Sequence, residues 1–188
     1  MKPALQAVTT HPNQSQVLLE ALLINFWKGK VEPDTARRIL GYWKEFNSND
    51  SDVGDLFKSF ECDNDQLVVV RDINYQSMCE HHLLPFYGKV HIGYIPTGRV
   101  LGLSKFGRIV THFAKNPQLQ ERLTQQIGTA IMDNLSPLGV IVVTEGVHTC
   151  MIARGILKQD SSTRTSFISG VFKSDASARQ EALNLILH

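Results

Sequence analysis

The order of hydrophobic periodicities along the chain predicts an α+β fold. Two β-type runs are followed by two amphipathic helical runs and then by two or more further β-type runs, and a separate helical pair precedes them all. Strands and helices grouped in this way, rather than alternating one by one, point to an antiparallel sheet with segregated helices. At 188 residues the chain can bury one full core and still carry an N-terminal extension.

Residues 1–13 hold two prolines, two threonines and His11-Pro12-Asn13, and read as a flexible tail. From Gln14, the positions Val17, Leu18, Ala21, Leu22, Ile24 and Phe26 give a mostly helical apolar face that ends near Gly29. Glu32-Pro33-Asp34 opens a second helix through Ala36, Ile39, Leu40, Trp43 and Phe46, and Asn47–Asp52 is a polar loop. Residues 14–64 thus form a helical extension, and residues 65–188 the main domain. There Gln66–Ile73 is a β-branched strand and Gly88–Pro96 alternates as a second, closed by Thr97-Gly98 turn chemistry. Val100–Leu103 leads into a helix with Ser104 as N-cap candidate, running to about Lys115. Asn116 as N-cap and Pro117 at the first helical position start the next, and Leu119, Leu123, Ile127, Ala130, Ile131 and Leu135 line one face of it. Ser136-Pro137 stops that helix. Gly139–Val147 is a strand, His148–Leu157 another after a bend at Gly146, Phe167–Phe172 a further short strand, and Ala176–Leu187 a closing helix.

Composition excludes several classes. Apolar content of 43% and charged content of 20% are ordinary for a soluble globular protein. A formal net charge of +1 gives no bulk attraction for nucleic acid or an anionic membrane, and any anionic ligand needs a local cluster. No run of 18 apolar residues suggests a membrane span, and Met1–Gln6 has no apolar stretch of the signal-peptide kind. Three cysteines, Cys62, Cys79 and Cys150, are too few and too odd for a disulfide framework; they suit a reducing compartment, and the cytoplasm is the expected location.

The chemistry concentrates in Ser77-Met78-Cys79-Glu80-His81-His82-Leu83-Leu84-Pro85-Phe86. Cys79 and His82 stand in C-x-x-H spacing, which lets one turn offer two ligands to a zinc ion. His148-Thr149-Cys150 brings a second imidazole and thiol. Two thiolates and one imidazole from Cys79, His82 and Cys150 suit zinc, and three protein ligands leave the open position of a catalytic site. If His148–Leu157 is a strand, His148 and Cys150 project together. His81 and His148 would then stand beside the metal, able to move protons near neutral pH. On the residues alone, Cys150 could equally be a small buried hydrophobe, or Cys62 a fourth ligand closing a structural site.

Ser104, Lys105 and Arg108 cluster at a helix N-terminus, where free N–H groups favour an anion and two cations share a face. A solvated helix face is the alternative. Gln120-Glu121 falls in a first helical turn. Glu121 is either a dipole partner or an acceptor for the N1–H and exocyclic amine of guanine. Arg154, four residues beyond Cys150, is a phosphate clamp or an ordinary ion pair.

Taken in order, these residues resemble the GTP cyclohydrolase I family, zinc enzymes that begin tetrahydrofolate and other pterin pathways. The resemblance runs from about Leu67 to Leu187. It is carried by the Ser77–Phe86 stretch, Tyr94-Ile95-Pro96, Gly102-Leu103-Ser104-Lys105, Arg108-Ile109-Val110, Gln120-Glu121-Arg122-Leu123-Thr124, His148-Thr149-Cys150 and Ala153-Arg154-Gly155. It implies a tunnelling fold (T-fold) with a ββααββ core whose subunits pool their sheets into a barrel, usually as a decamer of two pentamers with active sites between subunits. It implies zinc on Cys79, His82 and Cys150, catalytic imidazoles at His81 and His148, guanine at Gln120 and Glu121, and triphosphate at Ser104, Lys105, Arg108 and Arg154. The substrate would be GTP, with neither nucleic acid nor membrane as partner. Near the N-terminus, Thr35-Ala36-Arg37-Arg38 departs from the family's Thr-Pro-x-Arg, and Arg38 is the nearest counterpart of its arginine. The related nitrile reductase of deazaguanine metabolism uses a nucleophilic cysteine and a nicotinamide without catalytic zinc; the paired His81-His82 and His148-x-Cys150 favour the cyclohydrolase.

Overall fold

A computed structural model describes residues 14–47, 52–63 and 65–187. The expected tail at 1–13, most of the polar loop at 47–52 and Asn64, the last residue of the expected extension, lie outside the described residues. The chain divides into two compact units, Met1–Asn47 and Ser48–His188.

In the first unit, α1 (Gln14–Trp27) is followed by α2 (Thr35–Glu45). Lys28 and Gly29 take left-handed backbone conformations between them, the usual way to end a helix tightly. Asp34 precedes α2 and accepts a 3.0 Å hydrogen bond from the Arg37 guanidinium. Ala36 is buried, whereas Val17, Leu18, Leu22, Ile24, Phe26 and Trp27 of α1 are exposed.

The second unit holds the sheet. Its strands are β2 (Val68–Cys79), β3 (Pro85–Ile95), β5 (Pro117–Gln118), β6 (Gly139–His148) and β7 (Thr163–Gly170), in the order β5-β2-β3-β6-β7. Every pairing is antiparallel except the two-residue contact of β5 with the end of β2. A small second sheet pairs β1 (Ser59–Glu61) with β4 (Arg99–Leu101). Helices α3 (Leu103–Ala114) and α4 (Gln120–Leu135) cover one face. Phe106, Ile109, Leu123, Ile127 and Ile131 from them are fully buried among Phe86, Val90, Ile92, Val140 and Val142 of the strands. A short helix α5 (Thr149–Ile152) follows β6, while α6 (Val171–Ser174) and α7 (Ala176–Leu187) close the other face over Ile141 and Val143. The core order is therefore the expected ββααββ. No helix among the described residues is long and apolar enough to cross a membrane.

Several local expectations give way to tertiary contacts. The strand expected from His148 to Leu157 ends at His148, because the Thr149 hydroxyl donates to the Pro85 carbonyl at 2.6 Å and the Ala153 amide donates to the Thr149 carbonyl, winding 149–152 into α5. Pro117 does not open a helix; it is held in β5 beside Met78, and α4 begins at Gln120 after an extended Leu119. Gly102, not Ser104, caps α3. The last strand begins at Thr163, ahead of the expected Phe167, because residues 163–170 pair along β6.

Candidate metal centre

The hairpin joining β2 to β3 is built to present side chains at its tip. The Cys79 carbonyl accepts from the amides of His82 and Leu83, at 3.3 and 2.8 Å, and the Cys79 amide donates to the Leu84 carbonyl at 2.8 Å. Leu83 has a φ of +51°, a left-handed backbone that a bulky residue adopts only where surrounding contacts hold it there. This tight turn brings the Cys79 thiol and the His82 ring together, with 3.8 Å between Sγ and Nδ1. From the neighbouring strand, Phe86 pairs with His148, and the turn into α5 returns Cys150 to the same point, its Sγ 4.0 Å from that of Cys79.

The ligand atoms of Cys79, His82 and Cys150 all lie within 4.8 Å of one another, and this set could hold a metal ion. Tetrahedral zinc, with bonds of about 2.3 Å to sulfur and about 2.0 Å to nitrogen, sets sulfur–sulfur separations near ~3.8 Å and sulfur–nitrogen separations near ~3.5 Å. The observed 4.0 and 3.8 Å match these within a few tenths of an ångström. Burial and the adjacent Cys79 push the Cys150 thiol up, with Arg154 pulling the other way. A divalent cation relieves that situation by displacing the thiol protons. His81 points its Nδ1 to within 4.0 Å of the Cys79 sulfur, but His82 is the imidazole of the three-ligand set. Cys62 is not in that set; its amide donates to the Gly98 carbonyl, beside the β1–β4 pair.

His148, the last residue of β6 and two residues before Cys150, is anchored by Phe86 and Gln120. Its ring stacks on Phe86, with centroids 4.6 Å apart and planes 4° from parallel. Its Nε2 meets Gln120 Oε1 at 2.9 Å. The Gln120 amide donates from Nε2 to the carbonyls of Thr144 and Thr163, both at 3.0 Å. Carbonyls only accept, so the amide nitrogen must face them and Oε1 must face His148. His148 Nε2 therefore carries a hydrogen, and in the neutral ring the free lone pair sits on Nδ1. Burial holds this imidazole below its ordinary value, opposed by the charge of Glu121.

The other expected residues occupy separate positions. Glu121 is exposed in the first turn of α4. Arg154 is exposed after α5. Ser104, Lys105 and Arg108 lie on the first two turns of α3, where the Lys105 ammonium donates to the Asp55 carbonyl at 3.5 Å. Gln120 is 2% exposed and committed to protein groups. Sequence reasoning took Gly146 only as a bend, whereas β6 runs through it unbroken, and it missed Tyr75. A Cβ at Gly146 would run into Gln120 Oε1 and lie 2.6 Å from Tyr75 Oη, and the one cue available was a glycine inside a strand pattern.

The profile of a family described as GTP cyclohydrolase I matches residues 13–187. A "GTP cyclohydrolase 1" of Carboxydothermus hydrogenoformans is 49% identical over 158 residues, covering 82% of each chain. One from Pelotomaculum thermopropionicum is 46% identical, covering 91% of this chain and 92% of its own. The Drosophila melanogaster protein of that name is 48% identical over 84% of this chain, which spans about half (48%) of its length. Among solved structures, an archaeosine synthase QueF-like protein in its apo form aligns with a TM-score of 0.45 at 21% identity, over 55% of this chain and 93% of that one.

Proposed function

The chain belongs to the GTP cyclohydrolase I family, and from that premise we propose that it hydrolyses the guanine imidazole ring of GTP, releasing formate and forming 7,8-dihydroneopterin triphosphate. The observation that carries this reading is the convergence of Cys79, His82 and Cys150 on one point beside a histidine whose tautomer is fixed. We assign zinc to that point, on the donor set of two sulfurs and one imidazole. Bound there, zinc supplies Lewis acidity and a water acidified towards neutral pH.

The chain's own residues do the rest. His148 takes and returns a proton at Nδ1, because its Nε2–H stays bonded to Gln120 in both the neutral and the charged ring. Protonation therefore costs no anchor. The stack on Phe86 keeps the ring plane fixed while the charge changes. His81, exposed at the hairpin tip, is the candidate for proton transfer at the sugar. Glu121 accepts the N1–H and exocyclic amine of guanine. Gln120 serves the base site through His148. Ser104, Lys105, Arg108 and Arg154 receive the triphosphate, with the first three arrayed where helix α3 offers its N-terminal amides.

A closed assembly, a decamer of two pentamers with sites between subunits, fits the same reading. It is supported by the position of β7 at a sheet edge and by the exposed apolar residues of α1. The three cysteines are unpaired, in keeping with a cytoplasmic protein. The product would feed tetrahydrofolate, pterin or deazaguanine synthesis. The test is incubation of the purified chain with GTP, with and without a chelator. Formate and pterin fluorescence that appear only with the metal support the reading, and a metal-replete protein that releases no formate overturns it.

A further inference from the structure

The hairpin tip carries one charged residue that the reaction does not use. Glu80, between the ligand Cys79 and His81, accepts a 2.6 Å hydrogen bond from Arg122 Nη2. Arg122 lies in the first turn of α4, next to Glu121. Its guanidinium makes two further bonds: Nε donates to Gln118 Oε1 at 2.7 Å, and Nη2 donates to the Pro117 carbonyl at 3.0 Å. The Glu80 amide in turn donates to the Gln118 carbonyl at 3.1 Å. Gln118 is 3% exposed and donates from Nε2 to the Phe113 carbonyl at 3.0 Å and to Gln126 Oε1 at 2.6 Å. One guanidinium thus ties the metal hairpin, strand β5 and the first turn of α4 into a single unit.

We propose that the Glu80–Arg122 pair is a positioning clamp that sets the metal hairpin at a fixed distance from the base-recognising turn of α4. The inference rests on the function proposed above, in which the metal ligands and Glu121 grip two parts of the same purine. The pair is an inefficient way to stabilise a fold. Its side chains are 42% and 32% exposed, and ion pairs that open to water contribute little stability. Geometry is what it supplies. A planar guanidinium with three fixed acceptors has little freedom to swing, and small displacements of reacting groups cost rate steeply.

The variants are Glu80→Gln and Arg122→Lys, alone and together. Lys89→Met serves as control, since it cuts the comparably exposed 2.7 Å Lys89–Asp72 pair. Three quantities are read: kcat and KM for GTP, the half-time of zinc release to excess chelator, and the melting temperature. Each clamp variant lowers kcat about tenfold with KM changed by less than about twofold, in line with misplaced rather than lost contacts. Each also shortens the zinc half-time several-fold, because the hairpin holding two of the ligands is loosened. The double variant is no worse than the worse single one, since the two side chains act as one device. Lys89→Met leaves kcat and zinc release unchanged. Wild-type kcat and zinc release in both single variants, losses that multiply in the double, or equal losses in Lys89→Met each overturn the clamp. A wild-type chain that releases no formate overturns the functional reading instead, and zinc release by the same variants still decides the clamp.

Discussion

Replacing Gln120 with leucine tests how His148 is held. The substitution keeps most of the buried volume but removes three short hydrogen bonds, to the Thr144 and Thr163 carbonyls at 3.0 Å and to His148 Nε2 at 2.9 Å, together with a longer one to Thr165 Oγ1 at 3.4 Å. At about 0.5–1.5 kcal/mol for each such bond, the loss is roughly 3 kcal/mol. For a chain of this size that corresponds to a fall in melting temperature of about 6–12 °C. The effect on turnover follows from the tautomer. Without Gln120 Oε1, the neutral His148 ring is free to carry its hydrogen on either nitrogen, and Nδ1 is no longer reserved for proton transfer. A positioned acid–base group is worth about 10²–10⁴-fold, so kcat should fall roughly hundredfold. KM should change little, because Gln120 acts through His148 rather than on the base. Steady-state kinetics by pterin fluorescence, alongside thermal melts, separate the possibilities. A wild-type kcat with a raised KM is the signature of a lost substrate contact and would refute the reasoning.

Cys150→Ser should lower zinc affinity by roughly 100-fold or more and abolish formate release, since it exchanges a thiolate for a poor ligand; metal analysis after gel filtration checks this, and a variant that keeps its zinc contradicts the three-ligand set. Gly146→Ala places a methyl group 2.6 Å from Tyr75 Oη and against Gln120 Oε1. It should cost about 1–3 kcal/mol through overpacking and depress kcat as Gln120→Leu does, which chemical denaturation and kinetics together would show. Stability should fall on acidification because of His91. Its Nδ1 accepts from the Asp72 amide at 3.2 Å, and burial holds the imidazole below its ordinary value, against the opposing carboxylates of Asp72 and Glu145. The unfolded chain then binds the proton more readily, so this contribution is complete above about pH 6.5 and is lost as pH falls through the lower folded value. His91→Asn keeps an acceptor without the titration, and its denaturation midpoint should change less between about pH 7.5 and about pH 5.5 than that of the wild-type chain.

Much of this organisation is legible from local pattern. Leu123, Ile127 and Ile131 repeat every four residues and all three are fully buried under the sheet. The C-x-x-H spacing and the later cysteine give ligand types that a fold brings together without further instruction from the intervening residues. What local pattern misjudges is where the backbone changes hand. His148 to Ile152 is rich in β-branched and apolar residues, yet one hydroxyl bond to Pro85, 64 residues away in sequence, converts the segment to a helical turn. The Cys150 sulfur therefore reaches the site from α5 and not by strand alternation. The strand alternation expected to project His148 and Cys150 together does not occur, and Cys150 reaches Cys79 through the turn of α5 instead.

Gln120 and Arg122 show a second limit. Both lie in the first turn of α4, and residue type alone makes each a plausible ligand contact. Their roles depend on which partners lie within about 3 Å, and those partners come from β6, from the first residue of β7 and from the metal hairpin. The bridge between β5 and the end of β2 is what admits the hairpin to that turn, and it is two residues long, too short to leave a periodic signal. Local rules place Pro117 at a helix start. The parallel pairing with Met78 overrides them because it satisfies the Glu80 amide through the Gln118 carbonyl and lets Arg122 reach the adjoining Pro117 carbonyl. Extending α4 backwards to Pro117 would take those carbonyls into the helix and leave the metal hairpin with no fixed relation to Glu121. The departure from local preference at Pro117 is thus the structural condition for the clamp at Glu80.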